Sequence, residues 1–367
     1  MKKIFIVLAI IIFFFSSLYS QITYPVRFVH QPFNYNNTES FLLGLPNNEA
    51  LMFWYDSTSA VIRYARGNND LLNWYSQDSI SYITASNKDV DINAIVLGSG
   101  RILLTYKTMY YYFIYSDNNG ISWSAPTQLP TRSSIAARRK VYNSSLSIKS
   151  DGQISFVHSF TTSTNSLYAK GIFSIYSSDG INWSSVDTID ITGNNGNIIN
   201  AGNSKDILVY QDSTENGFDI FFRTSFDNSL SWSDKSLLVG GVQTQTNPLG
   251  VKDINGKIWI YYLQKESTPF NNIYQSDIKF ITSNDGGLNW IAPENFTKYV
   301  GFDINHKISL WNGRPVIAFS SSRNFNYSYY LYQIYFSLAD IEIDNNVPPF
   351  LYDFNYTTVN PLSLIHI

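Results

Sequence analysis

The sequence predicts an all-β fold, a six-bladed β-propeller built of four-stranded antiparallel blades. Three observations predict it: a tight turn ending in tryptophan that recurs along the chain, an apolar hairpin that recurs in phase with it, and a period of roughly fifty residues between copies, in the range of propellers and solenoids.

The turn is clearest at Ser283-Asn284-Asp285-Gly286-Gly287-Leu288-Asn289-Trp290. Ser225 to Trp232 and Ser116 to Trp123 keep this eight-residue frame, and Ser177 to Trp183 and Asn68 to Trp74 are one residue shorter. In each copy a short side chain (Asp70, Asn118, Asp179, Asp227, Asp285) is expected to accept hydrogen bonds from backbone amides just downstream, while glycine supplies positive φ. The closing ring (Trp74, Trp123, Trp183, Trp232, Trp290) is expected to fold back over its own turn, making each copy a self-supporting cap.

Upstream of each turn runs an apolar strand, a Gly or Asn turn, and a second apolar strand. Six such hairpins are present: Leu42 to Tyr55, Ile92 to Tyr106, Leu146 to His158, Ile198 to Tyr210, Leu249 to Tyr262 and Ile308 to Phe319. Hairpin, loop, strand, tryptophan turn and strand together make a four-stranded meander, the blade of a propeller. The third strand is often apolar on both faces, as in Tyr110-Tyr111-Tyr112-Phe113-Ile114-Tyr115, which suits a strand packed between two blades. The sixth unit lacks the tryptophan turn and ends in Tyr335 to Asp340; Arg27, ahead of blade one, is placed on the strand that closes the ring onto blade six.

Composition narrows the function class. Hydrophobic residues reach 44% while charged residues are only 14%, so core material is plentiful and disorder is disfavoured. A net charge of -3 gives no electrostatic footprint for nucleic acid. Cysteine is absent, which removes disulfides, thiolate metal sites, a cysteine nucleophile and a lipoprotein anchor, and the four histidines (His30, His158, His306, His366) share no ligand spacing. No metal and no cofactor are expected.

Lys2-Lys3, an apolar run from Ile4 to Phe15 and the small residues Ser16, Ser17 and Ser20 mark residues 1–20 as a secretory signal peptide, too short to span a bilayer. The expected product is a secreted or cell-surface monomer with no membrane span after signal removal. Residues 22–343 hold the propeller, 344–361 read as a linker or the start of a truncated further module, and 362–367 as a tail derived from a sequencing adapter.

The tryptophan turns resemble the Asp-box, or BNR, repeats of the sialidase superfamily, and the six units are similar to its six-bladed propeller over residues 22–343. Such turns specify fold rather than activity. The resemblance implies a site with three arginines gripping a carboxylate, an Asp acid/base, and a Tyr nucleophile activated by a Glu. Aligned on Pro46-Asn47-Asn48, Thr38-Glu39-Ser40 stands where the first arginine of the family's Arg-Ile-Pro belongs, and Asp56-Ser57 where the second belongs. Among 27 tyrosines no nucleophile stands out.

Propeller topology sorts the remaining candidates, because first hairpins and tryptophan turns share one rim, leaving the other rim for ligand. Arg66, Arg101, Arg223 and Arg314 fall on the turn rim. Arg132, Arg138, Arg139 and Arg323, with Asp56, Asp212, Glu215 and Glu266, fall on the ligand rim. Loops 161–166, 212–217, 265–272 and 320–327, with Phe160, Phe270, Phe325 and Tyr327 in or beside them, suit the stacking of sugar rings. Two functions stay open: a non-catalytic module binding glycan or an extracellular protein, or an exo-sialidase-like glycoside hydrolase with a rearranged site. The missing arginines favour the first.

Overall fold

The computed structural model describes residues 26–27, 39–56, 59–71, 73–80, 90–108, 110–131, 144–159, 171–267, 274–298, 302–322 and 333–340. Residues 1–20 and 344–367, with the readings placed on them, lie outside the described residues.

The recurring hairpins fold as six four-stranded antiparallel sheets. Each begins with an inner strand on the central axis: Ser40–Gly44, Ile92–Val96, Ser145–Ile148, Asn194–Gly202, Thr244–Lys252 and Asp303–Trp311. Consecutive inner strands touch, and the sixth returns to the first, so the ring is closed. Closure uses both ends of the propeller: Val26–Arg27 pairs antiparallel with Gln333–Leu338, with Arg27 opposite Tyr335, and becomes the outer strand of blade six. That is the closing position expected for Arg27.

Second strands are the most apolar elements, and those of blades one and three, Ala50–Asp56 and Ile154–Ser159, are buried along their length. Their side chains alternate between the two faces of a blade, and both faces are covered by neighbours, so apolar residues are favoured at every position. The expected packing of the third strand in blade two holds for Tyr111, Phe113 and Ile114, which are buried, whereas Tyr110 at its entrance is exposed.

The turns form the predicted hydrogen bonds. In blade four Ser225 Oγ donates to Asp227 Oδ1 at 2.7 Å, and Asp227 Oδ1 accepts from the Ser231 amide at 2.9 Å. In blade five Asp285 Oδ1 accepts from the amides of Leu288 and Asn289 at 3.0 and 2.9 Å. Gly287, at φ 84°, is held to glycine twice over, because a Cβ there would sit 2.5 Å from Ile207 of the preceding blade.

Trp74 folds back over its own turn as expected, its Nε1 donating to the Leu71 carbonyl at 2.9 Å, but the caps are not self-supporting. Trp123 of blade two meets Phe53 and Tyr64 of blade one edge to face, with centroids 5.7 and 5.9 Å apart. Trp183 meets Phe113 of blade two, Trp290 meets Phe222 of blade four, and Trp74 meets Phe336 of blade six. Trp232 packs on the cluster containing Val157 and Ile172 of blade three. Each ring thus docks on the blade before it. A turn of this size has too little apolar surface of its own to cover an indole, and the adjacent sheet supplies it.

Candidate functional site

The two rims are separated as the topology requires. Arg101, in the first hairpin of blade two, donates to Asp117 at 2.6 and 3.0 Å and to the Asp179 carbonyl in the turn of blade three at 3.0 Å. Arg66 joins Glu49 of its own hairpin to the Asn119 carbonyl of blade two, and Arg314 holds Asp340 through two bonds of 2.8 Å. These three arginines brace turns and hairpins. Arg223 reaches instead to Asp190 on the last strand of blade three, at 2.8 Å, and to the Ser233 carbonyl. Burial works against the Asp190 anion, but amides of Gly193 and Thr192 and the Arg223 guanidinium outweigh it and hold the carboxyl below its ordinary range.

On the opposite rim Asp56 ends the second strand of blade one and Asp212 lies near the end of that of blade four, but both are tied internally. Asp56 accepts from Arg63 at 2.7 Å and from Ser59 Oγ at 2.9 Å. Asp212 accepts from Lys235 at 2.9 Å and from Thr192 Oγ1 at 3.0 Å. Glu266 lies on the strand Ile258–Ser267, opposite Gln275, and its side chain lies outside the described residues. Arg132, Arg138, Arg139 and Arg323, and the aromatics Phe160, Phe270, Phe325 and Tyr327, also lie outside them.

The segment from Asp212 to Gly217 is shorter as a loop than the sequence suggested. Asp212, Ser213 and Thr214 pair with Asp219, Phe218 and Gly217, leaving Glu215 and Asn216 as a two-residue turn. Gly217 at φ 123° permits that reversal.

Between the rims lies an axial cavity of about 380 Å³ walled by all six inner strands, from Phe41 and Leu43 round to Ile308 and Leu310. Its wall is mostly aliphatic, with Asn93 and Lys307 towards the rim opposite the tryptophan turns and Asn200 and Lys252 towards the turn rim. Lys307 of blade six donates to Asp91 and, at 3.1 Å, to Asn93 Oδ1 of blade two. Asp91 also accepts from the amide and hydroxyl of Ser144, and Asn93 Nδ2 donates to Ser144 Oγ at 3.0 Å. On the other side of the axis a carboxamide layer takes over. Asn195 Nδ2 donates to Gln211 Oε1 at 3.0 Å, and the same oxygen accepts from the Asn247 amide at 2.7 Å.

Sequence reasoning missed this layer and the Lys307–Asp91 pair. The available signal was the recurrence of asparagine at 195, 247 and 305, which are 52 and 58 residues apart and so close to the blade period.

No protein-family model matches the sequence, and no curated protein matches it. Similarity appears in three dimensions. The Hadza microbial sialidase Hz136 superposes with a TM-score of 0.58 at 14% identity, covering 85% of this chain and 68% of the other. An α-L-arabinanase of Penicillium chrysogenum, solved with arabinobiose, gives 0.56 at 15% identity over 88% of this chain and 99% of the other. The NanB sialidase of Streptococcus pneumoniae gives 0.56 at 11% identity, covering 90% and 71%. At these identities the likeness defines the fold: a sialidase-like six-bladed β-propeller, shared with sialidases and arabinanases.

Proposed function

We propose that this chain is a secreted glycan-binding propeller that has kept the sialidase-type scaffold without the sialidase carboxylate clamp. One observation carries the reading: every arginine whose side chain is described is tied to a carboxylate of the protein itself. The pairs are Arg63–Asp56, Arg66–Glu49, Arg101–Asp117, Arg223–Asp190 and Arg314–Asp340. A guanidinium already paired with an internal carboxylate is not available to grip one on a ligand. The amides and hydroxyls around the axial mouth are instead the groups that exchange hydrogen bonds with sugar hydroxyls.

A glycoside hydrolase with a rebuilt site is the second reading, favoured by the glycosidases that share the fold. Its chemistry would have to come from Glu266, Arg138, Arg139 and Arg323. An array of neutral and sialylated glycans probed with the full chain tests the first reading. Retention of glycan without release of product supports it, and an array with no retained glycan overturns it.

A further inference from the structure

Three asparagines occupy the same irregular place on consecutive blades. The inner strands of blades four, five and six each carry one extra residue against their partner strand, at 194–197, 246–249 and 304–307. Inside each bulge stands an asparagine in the left-handed region: Asn195 at φ 53°, Asn247 at φ 54° and Asn305 at φ 52°. These strands touch in sequence around the axis, so the three residues form an arc at the ligand-rim end of the channel.

Conformation alone does not account for asparagine three times. Glycine adopts positive φ more readily and is the default where only the backbone bend matters. What asparagine adds is a carboxamide. Asn195 is buried and linked to Gln211 and to Asn247 Oδ1, while Asn247 and Asn305 are only half-buried. Beside them, both carboxamide atoms of Asn194 and the Oε1 of Gln245 are buried without a protein hydrogen bond. Buried polar atoms of this kind ordinarily find a partner in water or ligand. Lys307, two residues from Asn305, is paired with Asp91, so this lysine brings no free positive charge to the arc.

We infer that Asn247 and Asn305 form the floor of a subsite for a neutral, hydroxyl-rich sugar, in which their carboxamides bind vicinal hydroxyls as paired donors and acceptors, while buried Asn195 holds the Asn247 carboxamide in place. The inference rests on the glycan-binding reading above and adds to it the class of sugar and the residues that hold it.

Isothermal titration of the full chain with arabinobiose, xylobiose, cellobiose, lactose and 3′-sialyllactose tests it, comparing the wild type with Asn247→Gly and Asn305→Gly. Glycine keeps the left-handed backbone and deletes only the amide, so melting temperature should hold. The expected result is binding of at least one neutral disaccharide, weakened about tenfold in each variant, as for the loss of one or two sugar hydrogen bonds. If a glycine variant fails to fold, Asn→Asp at the same position is measured instead, with the same weakening expected. Neutral binding left unchanged by the substitutions overturns the inference and leaves the glycan reading standing. Binding confined to 3′-sialyllactose overturns the neutral class. A wild type that binds none of the five overturns both.

Discussion

Lys307 on the inner strand of blade six donates to Asp91 at the start of blade two, crossing the channel mouth past the intervening blade one. Both side chains are nearly inaccessible, at 2% and 5% exposure. The pair therefore clasps the ring beside its seam, where the last blade is completed by the first strand of the chain. Removing one partner leaves an uncompensated buried charge, which costs about 3–5 kcal/mol. Lys307→Met should lower stability by that amount in chemical denaturation. Adding Asp91→Asn to it should recover part of the loss, and a double variant whose loss equals the sum of the two single losses would contradict the clasp.

The staples between blades make a second prediction. Trp123 is half-buried and lies against Phe53 and Tyr64 of blade one. Trp123→Ala should cost roughly 3 kcal/mol, the lower end for deleting a large aromatic. Because the contact joins two blades, hydrogen exchange should quicken in Ala50–Asp56 and Val61–Gly67 as well as in the turn. Quickening confined to residues 116–123 would restore the self-supporting cap.

His158 gives a pH dependence. It is enclosed by Tyr111, Phe156 and Phe173, and burial holds its pKa down to about 3. The unfolded chain, with an ordinary value near 6.5, binds the proton first, so folding stability falls as pH drops from about 6.5 towards 3. At pH 5 this amounts to about 2 kcal/mol for one such group. His158→Phe should therefore lose less stability than the wild type between pH 7 and pH 5. His306, also lowered by burial, to about 4, keeps part of the slope. Equal slopes in the two proteins would show that His158 titrates normally.

The turn carboxylates act lower on the scale. Hydrogen bonds from Ser231 hold Asp227 down to about 2, and bonds from Asn289 do the same for Asp285. Each stabilises the fold above the ordinary carboxylate value near 4, and that contribution is lost as pH falls through about 2. Asn118, the amide at the same place in blade two, contributes no such dependence. Asp227→Asn with Asp285→Asn should flatten the acid limb of the stability profile, and an unchanged limb would contradict the assignment.

The blades were legible because hairpin, turn and tryptophan are local features repeated in phase, and local repeats fix both blade number and the rim to which Arg101 and Arg314 belong. The docking of Trp123 on Phe53 was not legible, since a turn motif shows where a ring leaves the chain and not which surface receives it. Lys307 and Asp91 are 216 residues apart and become neighbours only when the ring closes. The bulge asparagines were legible in principle, but the strand pattern around them is broken by the extra residue that makes the bulge, which hides them from a period-two reading. Asp56 and Asp212 were assigned to the correct rim, yet charge alone did not reveal that Arg63 and Lys235 already hold them.

Hydrolysis of a fluorogenic sialoside by the purified full chain tests the central claim most directly. A propeller whose described guanidinium groups are all committed to its own carboxylates should release no fluorophore above the rate in buffer. Turnover that disappears on Arg138→Ala or Arg323→Ala would show a carboxylate clamp assembled from the ligand-rim loops, and would contradict the binding-only account.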